Sequence, residues 1–408
     1  MGNPAGDRRK LRTKRRLKQE RRLAEKRAEM EARAEQSIWP VLTAPPTDSD
    51  GPEERAVRAV YRAAVDLSEK LGLFDNEDHP PPGRALPREI ARAVLSVSFD
   101  PTDPISGPIR ISMRSDALGA WKAIEEAARA ALAAPFLFEI ELADPPALGG
   151  PAGGLPPVGA GDESEAQFPP ELQNLRRQWA RGPTAPSRTI VGGHPIDSEH
   201  PPGGGPPVWW GTVTVGARSR PRGAAHRLIT AGHVGRAIAA SVHHPAFPMG
   251  SRVADVDAIA LAPPPPARPV DAARAIMRSG WRAAPWIERV GPVVATGAPS
   301  PGTTYVVLGR RLGPAYAVAL RHFGVAQRFT LHDGRTLTVF DFFRFRFNPS
   351  HPHGIRVGDS GGPVYEEIPG DPGVRLVGMI LGFDPRNPQE FFVTPWPAAA
   401  GALGVRVP

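Results

Sequence analysis

The 408-residue sequence has no cysteine. Disulfide staples, thiolate metal sites and a thiol nucleophile are therefore excluded, and the fold has to be held by burial and hydrogen bonds. Such a chain is indifferent to redox state and suits a reducing compartment. Long apolar runs are also missing. No stretch approaches the ~20 residues of a membrane-spanning helix, and the first forty residues contain no apolar run of secretory-leader length. The expectation is a cytoplasmic protein. Aromatic residues make up only 7% and none precedes Trp39. Lysine is absent beyond Lys122 while arginine abounds, which reads as nucleotide-composition bias. Proline and glycine, at 50 and 43 residues, are plentiful and punctuate the chain.

The formal net charge of +8 is unevenly spread. Residues 1–36 hold thirteen Lys and Arg, among them Arg8, Arg9, Lys10, Arg15 and Arg16, against six acids, so the remainder is close to neutral. Residues 1–50 read as a basic tail, partly helical or disordered, suited to weak contact with nucleic acid or another anionic partner. The lack of aromatics speaks against base stacking there. A flexible solvated arm is the plainer alternative. Residues 51–143 alternate helical and strand-like periodicity: a helix over 53–73, a strand over 109–113, a helix over 116–134 and a strand over 136–142. This is a small α+β domain of unknown role, read as a regulatory or partner-docking unit. Residues 144–187 are rich in Pro and Gly and read as a linker. No cofactor motif or metal constellation stands out.

Chemistry concentrates in the remaining 188–408. The run Gly358-Asp359-Ser360-Gly361-Gly362-Pro363 sets a serine between glycines that permit a sharp turn. A serine hydroxyl is a weak nucleophile and needs a base within reach. Upstream, Leu228-Ile229-Thr230-Ala231-Gly232-His233 ends an apolar strand-like run in a small-residue turn and a histidine. Together these two motifs resemble the chymotrypsin-like serine proteases, whose histidine element reads Thr-Ala-Ala-His. The resemblance covers about residue 188 to residue 408 and extends to strand-like runs at 293–307 and 374–383. It implies a double antiparallel β-barrel with His233 as base, Ser360 as nucleophile and the Gly358 and Ser360 N–H groups as oxyanion hole.

The family also uses an aspartate placed directly before a short apolar strand. Asp257 fits, followed by Ala258-Ile259-Ala260-Leu261, and Asp255 on the same face of an extended run stays a rival. The order histidine, aspartate, serine excludes α/β-hydrolases, although Gly358-x-Ser360-x-Gly362 satisfies their short pattern. The resemblance implies a bacterial-type, disulfide-free serine endopeptidase acting on a protein substrate. Arg188-Thr189-Ile190-Val191-Gly192-Gly193 is similar to a zymogen cleavage site, with Thr189 interposed; a first barrel strand is the plainer reading. The family's pocket-base position falls on Gly354, so apolar or small residues before the scissile bond are expected, and Arg356 leaves room for an acidic preference. His351 and His353 are given no role. The alternative function is a retired protease fold that binds nucleic acid or protein.

Overall fold

The computed structural model describes residues 38–407 except 44–46, 48–49, 75–85, 133–135, 147–169, 182–183, 185, 200–208, 220–225, 236, 245–250, 262–267, 331–335, 349–353, 357, 369–370, 385–386 and 388. Residues 1–37 of the expected basic tail, like His351 and His353, lie outside the described residues.

After a short helix α1 (Ile38–Thr43), helix α2 runs from Pro52 to Lys70. Its start is set by Pro52 in the first turn, by Glu53 and Glu54 at the positive end of the helix dipole, and by the Gly51 N–H bond to Glu54 at 2.8 Å. Val57, Val60, Ala64 and Leu67 recur at helical spacing and are buried. A one-turn helix α3 (Arg88–Ala91) leads into β1 (Val94–Phe99), which pairs antiparallel with β2 (Ile109–Arg114). Helix α4 (Trp121–Ala131) then crosses over to β3 (Phe138–Ala143), parallel to β2. The expected strands and helices of this region are present, within a few residues of the expected bounds.

The stretch expected as a bare linker contains helix α5 (Pro170–Ala180), which is a correction. Leu175 is buried, and the Arg176 guanidinium donates to the Leu312 carbonyl at 2.9 Å. One apolar anchor and one charged hydrogen bond outweigh the Pro/Gly composition around them.

Strand β4 (Thr189–Gly192) precedes β5 (Pro195–Glu199), β6 (Trp209–Thr212), β7 (Val215–Ser219), β8 (His226–Thr230), β9 (Ser241–His244), β10 (Ser251–Ile259) and β11 (Ala273–Met277). The antiparallel pairs run β7-β8-β11-β10-β9-β5-β6, and β6 and β7 are one length of chain bent at Val213-Thr214. The sheet thus wraps on itself as a six-stranded barrel around Ile196, Val213, Leu228, Val242, Val253 and Val256. Strands β12 (Arg282–Ile287) and β13 (Gly291–Thr296) carry the chain across.

The second barrel consists of β14 (Thr304–Gly309), β15 (Gly313–Thr330), β16 (Thr336–Phe347), β17 (Pro363–Glu367), β18 (Val374–Phe383) and β19 (Glu390–Pro395). Pairing in the order β15-β14-β17-β18-β19-β16-β15 closes the ring. The alternation Phe343-Arg344-Phe345-Arg346-Phe347 explains β16: the rings are buried, and Arg344 and Arg346 reach Glu390. Helix α7 (Trp396–Leu403) and a short β20 (Val405–Arg406) follow, and β20 pairs with β7 of the first barrel.

Strand β15 is 18 residues long and is shared. Its first half pairs with β14, and along the same edge its second half pairs with β1. The α+β region is therefore a continuation of the second barrel's sheet, not a body set apart by its linker. Arg328 on β15 is buried and donates to the Ala91, Val94 and Gly72 carbonyls at 2.8, 2.9 and 3.0 Å. A charged donor with three acceptors is well compensated for its lost hydration.

Candidate active site

His233 lies in a one-turn helix α6 (Gly232–Gly235) at the end of β8 and is 3% exposed. Its Nδ1 bonds Asp271 Oδ2 at 2.7 Å, and its backbone N–H donates to Asp271 Oδ1 at 2.8 Å. Asp271 is fully buried. Both oxygens of one carboxylate therefore serve one histidine, fixing its ring and assigning the proton to Nδ1. The opposite ring nitrogen, Nε2, is buried and meets no hydrogen-bond partner among the described residues. It is free to accept a proton.

Asp257 does not hold His233. It lies on the outer face of β10, with Arg227 at 3.2 Å and Arg274 at 3.1 Å. Asp255 shares that face and binds Arg252 and Arg278, whose guanidiniums hold its carboxyl below its ordinary value although burial pushes it up. The strand alternation that made the two aspartates rivals turns both towards an arginine ladder. Asp271 follows the prolines 263–266 and is followed by only Ala272 and Ala273 before Arg274, so the four-residue apolar run that favoured Asp257 is missing after it.

Glycine at 232 has a steric reason. A Cβ there would sit 2.7 Å from Leu261 Cγ and 2.9 Å from both Asp271 Oδ1 and the Ala272 nitrogen. The carboxylate closes over the Gly232 backbone too tightly for a methyl group.

The loop bearing Ser360 belongs to the second barrel but hangs from the first. Thr212 N–H donates to Ser360 O at 2.9 Å, Thr212 Oγ1 to Gly358 O at 2.8 Å and Thr214 Oγ1 to Gly361 O at 2.6 Å. Gly358 and Gly361 have φ of +100° and +84°, a region that disfavours any side chain. At Gly361 a Cβ would also overlap Thr212 O and Thr230 Oγ1 and come within 3.0 Å of the Ala231 nitrogen. This contact sets the serine loop against the two residues that lead into Gly232-His233. The N–H groups of Gly358 and Ser360 meet no acceptor among the described residues. Thr212, Thr214 and Asp271 are the site residues that sequence reasoning missed.

Asp359, next to the serine, is fully buried. Its Oδ1 accepts from the Arg311 and Leu312 amides at 2.7 and 3.1 Å, and its Oδ2 from the Arg356 amide at 2.9 Å. Burial pushes its carboxyl up, with these amides working against the shift. Three backbone amides thus share the two oxygens of this carboxylate. Ile190 is fully buried in β4 and paired with Ala283 of β12, so it lies in a strand as expected, but that strand stands outside the six-stranded barrel.

A positive patch adjoins the loop. The Arg310 and Arg311 guanidiniums stand 5.0 and 4.8 Å from the Trp210 ring centroid, and Arg310 binds buried Asp197 at 2.8 Å across the barrels. Gly354 is buried and offers no charge at the expected pocket base. Among the described residues no cluster of three or more His, Asp or Glu is arranged to hold a metal ion. Nor is any helix there long and apolar enough to cross a membrane.

No protein-family model matches this chain, and no curated protein matches its sequence. Among solved structures it is similar to a glutamic acid-specific serine protease at 18% identity and a TM-score of 0.39, over 54% of this chain and 100% of that one. It is likewise similar to Protease A of Thermobifida fusca at 19% identity and a TM-score of 0.38, over 54% and 98%. A chymotrypsin of Cellulomonas bogoriensis matches at 18% identity and a TM-score of 0.36, over 54% and 98%. Two six-stranded barrels, one bearing a histidine–aspartate pair and the other a glycine-flanked serine, give this chain the fold of the chymotrypsin-like serine proteases.

Proposed function

We propose that the protein is a serine endopeptidase. The observation that carries this reading is the His233–Asp271 bond at 2.7 Å, with His233 Nε2 buried and unpartnered among the described residues and the Ser360 loop packed against Thr230 and Ala231, which lead into His233. Ser360 Oγ attacks the peptide carbonyl while His233 Nε2 takes its proton. Asp271 stabilises the resulting imidazolium, and the Gly358 and Ser360 N–H groups receive the negative oxygen. His233 then returns the proton to the departing amine, leaving an acyl-enzyme that water hydrolyses through the same base.

The substrate is a protein or peptide. Gly354 favours apolar or small side chains before the scissile bond, while the Arg310 and Arg311 patch favours acidic residues near it. The missing cysteines suit a cytoplasmic, bacterial enzyme. A regulatory partner docked on residues 51–143 would act on the second barrel directly, since β1 and β15 are paired.

The test is reaction with a fluorophosphonate probe and cleavage of a denatured protein substrate. The wild type is expected to do both, and Ser360→Ala and His233→Ala neither, with unchanged circular dichroism. A folded wild type that neither labels nor cleaves would favour the retired, binding-only alternative.

A further inference from the structure

Asp271 is delivered by the short stretch of chain that enters β11, with Val270 and Ala272 buried in the core on either side of it. Residues 268–272 lead into β11 and bond Ala260 through Val270 N–H at 2.9 Å and Ala272 O at 2.9 Å. One further backbone bond, from Phe340 N–H to Pro269 O, is long at 3.3 Å. Three residues before Asp271, Arg268 makes the side-chain tether. Its Nη1 donates to the Tyr61 hydroxyl at 2.6 Å, and that hydroxyl donates to Asp341 Oδ1 at 2.8 Å. Arg268 also lies 3.6 Å from Asp341 Oδ2. Tyr61 belongs to α2, Asp341 to β16 and Arg268 to the strand entrance, so three distant parts of the chain meet at one hydroxyl.

The tether is built, not incidental. Asp341 has φ +55° inside a strand, a conformation that persists only where the surroundings over-determine it. The Tyr61 ring is fixed against Phe99 and Phe323 at centroid distances of 6.4 and 6.2 Å, and the Arg268 guanidinium lies 5.6 Å from its centroid. Burial pushes the Asp341 carboxyl up, and Arg268 opposes that shift, so the ion pair and the carboxylate's charge depend on each other.

We propose that Tyr61 is a positioning residue: through Arg268 the helix α2 fixes the strand entrance that aims Asp271 at His233. The inference gives the region before the barrels a role in assembling the site, and it rests on the proteolytic reading of that site.

The experiment uses the full chain with ¹⁵N-labelled histidine. Tyr61→Phe keeps the ring and removes the hydroxyl; Arg268→Met removes the guanidinium. Each is expected to lower kcat at least tenfold with KM within twofold, and to shift or broaden the downfield Nδ1 proton signal of His233. The double variant is expected to be no worse than the more severe single one, because the two act in one chain. Ile124→Val, a change in the buried face of α4 outside the tether, is expected to lower Tm while leaving kcat and the proton signal unchanged. Wild-type kcat and an unmoved signal in Tyr61→Phe would overturn the inference, as would an equal loss in Ile124→Val. If the wild type neither cleaves nor labels, the proteolytic reading fails separately, and the His233 proton signal alone decides whether Tyr61 positions the pair.

Discussion

Thr212 of the first barrel donates its hydroxyl to the carbonyl of Gly358 in the second at 2.8 Å, and the same oxygen accepts the Arg310 N–H at 3.1 Å. One buried hydroxyl therefore serves both the serine loop and the β14–β15 connection, joining the barrels at the residue that would form half of the oxyanion hole. Thr212→Val preserves shape and removes both bonds. The expected result is a loss of roughly 1–3 kcal/mol in stability from the stranded polar groups, and a fall in kcat larger than the rise in KM. Chemical denaturation and steady-state kinetics on one preparation test it.

The acid of the site separates two residues that look alike in the sequence. Asp271→Asn is expected to lower kcat by about 10⁴-fold, because an amide can hold the imidazole in the wrong tautomer. Asp257→Asn removes a partly exposed partner of Arg227 and Arg274 and should cost no more than about 1 kcal/mol of stability, with activity intact. Equal losses of kcat in the two variants would refute the assignment.

Gly232→Ala restores the alanine expected at this position of the family's histidine element. Here it should be harmful. The added methyl presses on Asp271 Oδ1 and on the Ala272 backbone, costing about 1–3 kcal/mol by overpacking. Activity should fall more than stability, since the displaced group is the one that orients His233. Kinetics at a temperature well below Tm would separate the two effects.

Stability should weaken in mild acid. Rings of His194 and His244 stack at 4.8 Å and 3°, His194 bonds Glu288 at 3.1 Å, and His244 donates to the Pro195 carbonyl at 2.8 Å. Burial pulls both imidazoles below their ordinary value, more than Glu288 and the Pro195 carbonyl raise them. As pH falls through about 6.5, the ordinary histidine value, the unfolded chain takes up protons that the folded chain refuses, so stability is lost until the depressed folded values are reached. Tm is expected to drop between pH 7.5 and 5.5, and His194→Gln combined with His244→Gln should flatten that slope.

The local chemistry of the barrels was legible in the sequence because it is written in short, strict patterns. Glycines at 358 and 361 are demanded by positive φ, and His233 follows a strand that ends in buried Leu228 and Ile229. The helices and strands of 51–143 could be read from periodicity for the same reason. What could not be read were relations between distant segments. Nothing near Asp271 marks it as facing His233, and nothing near Ser96 announces Gln327 as its partner. Such pairings depend on strand register in three dimensions, which single-chain periodicity does not encode. Thr212 belongs with them, since its role exists only once the barrels meet.

Strand β15 has a consequence for how the molecule comes into being. Strands β1 and β2 emerge from synthesis more than two hundred residues before Phe323–Gln327, the stretch to which β1 must bond. Until then the edge of β1 and the carbonyls of Gly72, Ala91 and Val94 await Arg328. Loop closure over so long a separation is slow, and an open strand edge invites the wrong partner in the meantime. Neither the second barrel nor the sheet that carries β1 to β3 can therefore be completed before β15 has been made. A nascent chain stopped before β15 would present neither a working site nor a finished sheet.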